Sequence, residues 1–164
     1  MVKVEIFGLA LDENNKSPIL ILKGEDGGRV LPIWIGAMEA MAISMALNGV
    51  PFPRPMTHDL LLNAIRDMGG RTESIMVTSI VDGTFFAEIV VARGEEIVRI
   101  DSRPSDAIAL AVRAECPMYV DDAVMESSGV PLKENGESFI RAEDSDKWMD
   151  ELNKLSEDDT KYKM

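Results

Sequence analysis

Residues 72–93 read TESIMVTSIVDGTFFAEIVVAR. Two runs rich in β-branched and aromatic residues flank Asp82-Gly83, a dipeptide that favours the positive φ angles of a tight hairpin turn. Gly94-Glu95 then turns the chain into a third strand over 97–102. Beyond it the pattern changes period, and Pro104 opens an Ala- and Leu-rich helix over 104–114. Three hairpin-linked strands running into a helix set the fold class, and the upstream sequence repeats that order. Residues 1–11, 18–23 and 29–35 read as strands, with Glu25-Asp26-Gly27-Gly28 as a turn. Residues 37–47 carry no breaker and end before Asn48-Gly49, so they read as a helix. Pro51, Pro53 and Pro55 make a stiff extended connector. Thr57 reads as the N-cap of a helix over 58–68, stopped by Gly69-Gly70.

Further on, 118–120 reads as a short strand, 121–127 as a short helix and 143–155 as a helix around Trp148, Met149 and Leu152. The last nine residues are polar, and frayed ends are expected there. The expectation is an α+β fold, with an antiparallel or mixed sheet of hairpins and packed helices. One domain is expected over 1–130, followed by an acidic helical extension over 131–164. Residues 35–43 resemble 100–110, which suggests an internal duplication.

At 164 residues the chain suits a single core. No apolar run is long enough for a membrane span, and the N-terminal residues lack a signal-peptide core. Cys116 is the only cysteine, so no internal disulfide can form. Together these point to a cytoplasmic protein. A net charge of -12 argues against a generic nucleic-acid coat. Residues 121–164 hold 13 acids and 6 bases, whereas 1–120 hold 16 acids and 11 bases. Eight of those 11 bases are Arg, the residue suited to bidentate phosphate contacts.

Two helix starts share a layout. Arg54-Pro55-Met56-Thr57-His58-Asp59 and Arg103-Pro104-Ser105-Asp106 each give Arg-Pro, a hydroxyl and an Asp before an apolar run. A helix start offers free N–H groups and a positive dipole end, and Arg beside it completes a phosphate-binding corner. Arg54 and Arg103 are therefore candidate phosphate clamps, with Thr57 and Ser105 as hydroxyl donors. Asp101, Asp106 and Asp59 are candidate ligands for Mg²⁺ or Mn²⁺, with Glu39 in the first turn of its own helix as a helper. His58, the sole histidine, is a candidate proton shuttle or a plain surface residue.

Alternation over 97–102 puts Arg99, Asp101 and Arg103 on one face and Val98 and Ile100 on the other, toward the core. The charged face is either a site element or an ion-pair row. Trp34 is read as core or interface in preference to a base-stacking platform. The stripe of Met38, Met41 and Met45 is read as core or dimer packing. No Gly-rich phosphate loop, nucleophile elbow or Cys-x-x-Cys is present.

Several words, in order, resemble the bifunctional nuclease (DNase/RNase) domain family: Leu31-Pro32-Ile33-Trp34-Ile35-Gly36 with Glu39-Ala40, Pro53 to Leu61, Thr84-Phe85-Phe86-Ala87, and Ile100 to Ala111. The resemblance covers about residues 1–130. It implies an α+β fold, a wedge-shaped homodimer with a large groove, and cleavage of both DNA and RNA. Nucleic acid would be the substrate, and no membrane is involved. Two alternatives stand beside the nuclease reading. One is a non-enzymatic dimeric module that binds a phosphorylated ligand or a protein partner. The other is a structural role for both Arg-Pro corners.

Overall fold

The computed structural model describes residues 1–132 and 139–159. The first meander is β1 (Val2–Leu11), β2 (Pro18–Gly24) and β3 (Arg29–Trp34), all antiparallel. It leads into α1 (Ala37–Leu47), and the Pro-rich connector then brings the chain to α2 (Thr57–Asp67). The second meander is β4 (Arg71–Val81), β5 (Thr84–Arg93) and β6 (Glu96–Ser102), again antiparallel, and it leads into α3 (Pro104–Ala114). Asp82 and Gly83 both adopt positive φ, at 49° and 78°, as their hairpin turn requires. That two meanders each end in a helix is a likeness of topology and does not show a duplication.

The short strand β7 (Met118–Val120) joins the two halves. It pairs in parallel with Ile75–Val77 of β4 and antiparallel with Val2–Val4 of β1. Then follow α4 (Asp122–Ser128), β8 (Val130–Pro131), β9 (Phe139–Arg141), a 3₁₀ turn at Ala142–Asp144 and α5 (Ser145–Asp159). The result is one mixed sheet ordered β6-β5-β4-β7-β1-β2-β3-β8, with β9 beside β1. The strands β8 and β9 are too short to show a period, and the sequence reading did not find them. The last helix runs on to Asp159, beyond the frayed ends expected from 156; residues 160–164 lie outside the described residues.

The helices build the core on the sheet. α3 packs on β4 and β5, and α1 and α2 both pack on α3. The inner face of α3 is buried as an Ala-Ile-Ala-Leu-Ala run over 107–111, whose small residues let the neighbouring helices come close. α5 packs against α1 and brings Trp148 and Leu152 fully into the same core. The Trp148 indole N–H donates to the Ile140 carbonyl at 3.0 Å, so the buried ring has its polar partner.

One sequence expectation about sidedness is corrected. Val98 and Ile100 do not enter the core: each is 37% exposed, because β6 is the edge strand and the helix layer covers β4 and β5 instead. Trp34, read as core or interface, is 55% exposed at the end of β3 and so is not part of the core of the single chain. In the methionine stripe, read as core or dimer packing, Met38 stands in solvent while Met41 and Met45 are half-buried. Their helix α1 is apolar nearly all round, so its period carried no information about facing.

Candidate active site at three helix starts

The first turns of α1, α2 and α3 each contain an acid: Glu39, Asp59 and Asp106. Packing of α1 and α2 on α3 brings these turns together. Arg103, the residue before Pro104, is the hub. Its Nε donates to Asp106 Oδ2 at 2.7 Å and its Nη1 donates to Glu39 Oε1 at 3.1 Å. The other oxygen of Asp106, Oδ1, lies 2.9 Å from His58 Nε2. One chain of contacts, Glu39–Arg103–Asp106–His58, thus links all three helix starts. The two Arg-Pro corners do converge.

The electrostatics follow from that chain. Burial alone would raise the Asp106 carboxyl, but hydrogen bonds from Arg103 and His58 outweigh it and hold the group below the ordinary carboxylate value. Asp106, and after it Glu39, keeps the Arg103 guanidinium charged. The Arg103 side chain is still 65% exposed, and its Nη2 has no partner among the described residues. Glu39 folds back over Gly36, so that a β-carbon at Gly36 would collide with its carboxylate. Glycine at 36 lets the acid lie there.

Asp59 serves a different purpose. Its Oδ2 accepts the Met56 N–H at 2.9 Å, and its Oδ1 accepts Arg113 Nε at 2.8 Å. Burial works against this carboxylate too, and those two donors hold its pKa low. Met56 is the N-cap position and Thr57 the first residue of α2, so the expected Thr57 cap is corrected: the backbone is capped by Asp59 from within the first turn. Arg113 escaped the sequence reading. Its guanidinium also reaches the carbonyls of Ala109 at 2.8 Å and Ala42 at 3.1 Å, and so ties α1, α2 and α3 together. Only the fold reveals this, because nothing near Arg113 in the sequence marks its partners.

Asp101 lies exposed near the end of β6, opposite Glu88, and makes no ion pair among the described residues. Of the two readings of this strand's charged face, site element or ion-pair row, each holds for one arginine: Arg99 pairs across to Glu88 at 3.0 Å, and Arg103 turns to Glu39 and Asp106. Arg54 is exposed and unpaired among the described residues, and Thr57 is exposed. Among the described residues no group of three or more His, Cys, Asp or Glu is arranged to hold a metal. Both oxygens of Asp106 and of Asp59 are taken by protein donors, and Glu39 is paired with Arg103. This donor set does not fit a resident divalent ion.

Beside the hub lies an open cavity of about 450 Å³ between the end of β3, the start of α1, the β4–β5 turn and the start of α3. Trp34, Gly36, Glu39, Thr84, Phe85, Arg103 and Ser105 are among its lining residues. Ser105 is the most buried polar side chain of that lining, with the residue only 7% exposed. His58 and Asp106 stand behind Arg103 and do not line this cavity.

A family model described as the bifunctional nuclease domain matches residues 20–133. The chain belongs to this family. Every member of the Glu39–Arg103–Asp106–His58 chain falls inside the matched span. C-terminal to the matched span lies α5, whose Trp148 shares the core. An uncharacterized protein of Mycobacterium tuberculosis is 33% identical over 165 residues, covering 98% of this chain and 99% of its own length. Bifunctional nuclease 1 of Arabidopsis thaliana is 32% identical over 133 residues, covering 79% of this chain. Bifunctional nuclease 2 of Oryza sativa subsp. japonica is 29% identical, covering 85% of this chain. The chain spans 41% and 44% of the length of these two plant relatives.

Proposed function

We propose that the protein is a nuclease that hydrolyses phosphodiester bonds of DNA and RNA at the corner formed by α1, α2 and α3. The observation that carries this reading is the chain Glu39–Arg103–Asp106–His58, which places a solvent-facing guanidinium and a carboxylate-held imidazole at converging positive helix ends. Arg103, through its free Nη2, and Ser105 receive non-bridging phosphate oxygens. Arg54 and Thr57 extend the grip at the α2 start. In the tautomer that donates Nε2–H to Asp106, His58 offers the Nδ1 lone pair and takes a proton from water as that water attacks phosphorus. The P–O bond to the leaving oxygen breaks, that oxygen takes a proton from solvent water, His58 returns its own proton to solvent, and the products are a phosphomonoester and an alcohol.

Mg²⁺ commonly enters phosphate sites through one or two carboxylates and the substrate's own phosphates. In this reading Asp101, whose carboxylate makes no ion pair among the described residues, would help to hold a divalent ion carried in by the nucleic acid, which would supply charge neutralisation at the phosphate. No step above depends on it. The test is cleavage of end-labelled DNA and RNA, with Mg²⁺, with Mn²⁺ and with chelator. Activity in the wild type that is lost in Arg103→Ala and His58→Ala supports the reading. Equal activity in all three proteins overturns it.

A second reading is a non-enzymatic module that recognises a phosphorylated ligand. It is favoured by the position of His58 and Asp106 behind Arg103, outside the cavity. Calorimetry with nucleotides separates the two, because tight binding without hydrolysis belongs only to the module.

The reading also includes a homodimer. Edge strand β6 leaves Ile97, Val98 and Ile100 exposed, a surface that a second copy would cover. Light scattering on the wild type and Ile97→Lys tests it: a dimer that becomes a monomer supports the proposal, and a monomeric wild type ends it. A reducing, cytoplasmic location fits the lone Cys116, whose half-buried thiol is pushed up to about 11 by desolvation and is poorly reactive. Among the described residues no helix is long and apolar enough to cross a membrane.

A further inference from the structure

We infer that the cavity beside Arg103 is a nucleobase subsite, in which the Trp34 indole stacks on one unpaired base and the protein thereby takes its substrate as a single strand. The inference rests on the nuclease reading for its substrate class and goes beyond it in naming the base-binding residue and the strandedness.

An exposed indole needs a reason, because burial of so large an apolar ring is favourable. Trp34 is not loose on the surface. Its Nε1–H donates to Asp12 Oδ2 at 3.1 Å. Asp12, just after β1, is itself fixed, since its Oδ1 accepts the N–H groups of Asn14 at 2.9 Å and Asn15 at 3.3 Å. The polar edge of the ring is therefore satisfied and its orientation is set, while its surface stays open. This is what a stacking platform requires: little rotamer entropy remains to be lost when a base lands on it.

The same cavity supplies the other half of a nucleotide site. Across from Trp34 it holds the Arg103 guanidinium and the start of α3. Ser105 is more than nine-tenths buried as a residue and lines the same cavity, so its hydroxyl is a short, well-fixed polar group there. A volume of about 450 Å³ lies within the range of small-molecule sites and admits a base with its phosphate. In a duplex the base faces are covered by their neighbours, so only a single strand or an extruded nucleotide can offer a face to Trp34.

The experiment is a fluorescence titration in chelator at low salt, with a single-stranded oligonucleotide and with the blunt duplex of the same sequence. The chain has two tryptophans, and Trp148 is fully buried, so quenching by a bound base reports on Trp34. The single strand should quench and the duplex should not. Trp34→Ala should weaken single-strand binding, followed by anisotropy of a labelled strand, by roughly tenfold. Trp34→Phe should retain most of the affinity while abolishing the quench. Equal binding of duplex and single strand, or unchanged affinity in Trp34→Ala, overturns the subsite. Quenching by single strands in a protein that cleaves nothing with any metal keeps the subsite and overturns the nuclease reading. Cleavage that Trp34→Ala leaves unaltered does the reverse.

Discussion

His58 Nε2 stands 2.9 Å from Asp106 Oδ1, and this contact joins two helix starts that lie 48 residues apart in the chain. The acid orients the ring and, through its other oxygen, Arg103. Groups that act through one carboxylate should not lose function independently. Asp106→Asn and His58→Asn are each expected to lower the cleavage rate by about 100-fold or more, the scale of general acid–base catalysis. The double variant should fall little further than either single one. Rates that multiply would show that the two residues act apart.

Arg113 and Arg103 should behave in opposite ways. The Arg113 side chain is 10% exposed and satisfies Asp59 and two carbonyls from different helices. Removing it strands those groups, at a cost of about 3 kcal/mol. Arg103 is mostly solvated, and its ion pairs should contribute less than about 1 kcal/mol. Urea denaturation of Arg113→Ala and Arg103→Ala measures both. A large stability loss in Arg103→Ala would support the view that the Arg-Pro corners are only structural.

The contrast between these arginines marks what could be read from the residues. Hairpin chemistry at Asp82-Gly83, the Pro104 helix start and the breaker-free run after Gly36 carried the element order, because each is a local preference. Arg103 and Asp106 were legible for the same reason, being three residues apart on one helix start. The partners of Arg113 were not, since its contacts come from α1 and α2 and depend on how tightly the Ala-rich face of α3 lets them pack. The strand 97–102 misled for a related reason. Its alternation is genuine, but alternation reports two faces and not which is covered, and the helix layer stops short of β6. Trp34 could be read only as core or interface, because a large aromatic suits either, and its contact with Asp12 is what sets its orientation outside the core.

Acid should weaken the protein in a defined window. Asp106 and Asp59 both have folded-state pKa values below their ordinary ones, so each binds its proton less readily when folded than when unfolded. Their contribution is fully present above the unfolded carboxylate value near 3.9 and is lost as pH falls through the lower folded values. Urea stability measured from pH 7 to 3 should therefore be flat with respect to these two groups down to about pH 4 and decline below it. In Arg113→Ala the share owed to Asp59 should shrink. A decline from these groups that begins above pH 5 would contradict the assignment.

Gly36→Ala tests the Glu39 contact without changing a charge. The glycine has φ -75° and ψ 159°, a conformation open to alanine, so the backbone does not object. A β-carbon would occupy the space of the Glu39 carboxylate, which must swing away from Arg103. Since the displaced group is the end of a flexible chain, the thermal midpoint should change by no more than a few degrees. Phosphate affinity should rise, because Arg103 loses a competing carboxylate. Titration with a mononucleotide reads this out, and weaker binding would mean that Glu39 positions Arg103 rather than competing for it.

The pairing of the carboxylates has a consequence for metals. Glu39 and Asp106 both face Arg103, and a cation entering between them must displace a guanidinium. The free wild-type protein should therefore show no Mn²⁺ site tighter than on the order of 0.1 mM by calorimetry, well short of a built oxygen cage. Arg103→Ala removes the competitor and leaves two carboxylates near one point. That variant should bind Mn²⁺ more tightly than the wild type, even though it has lost its phosphate clamp. A tight stoichiometric site in the wild type would mean that Arg103 yields readily, and the corner would then have to be redrawn around the ion.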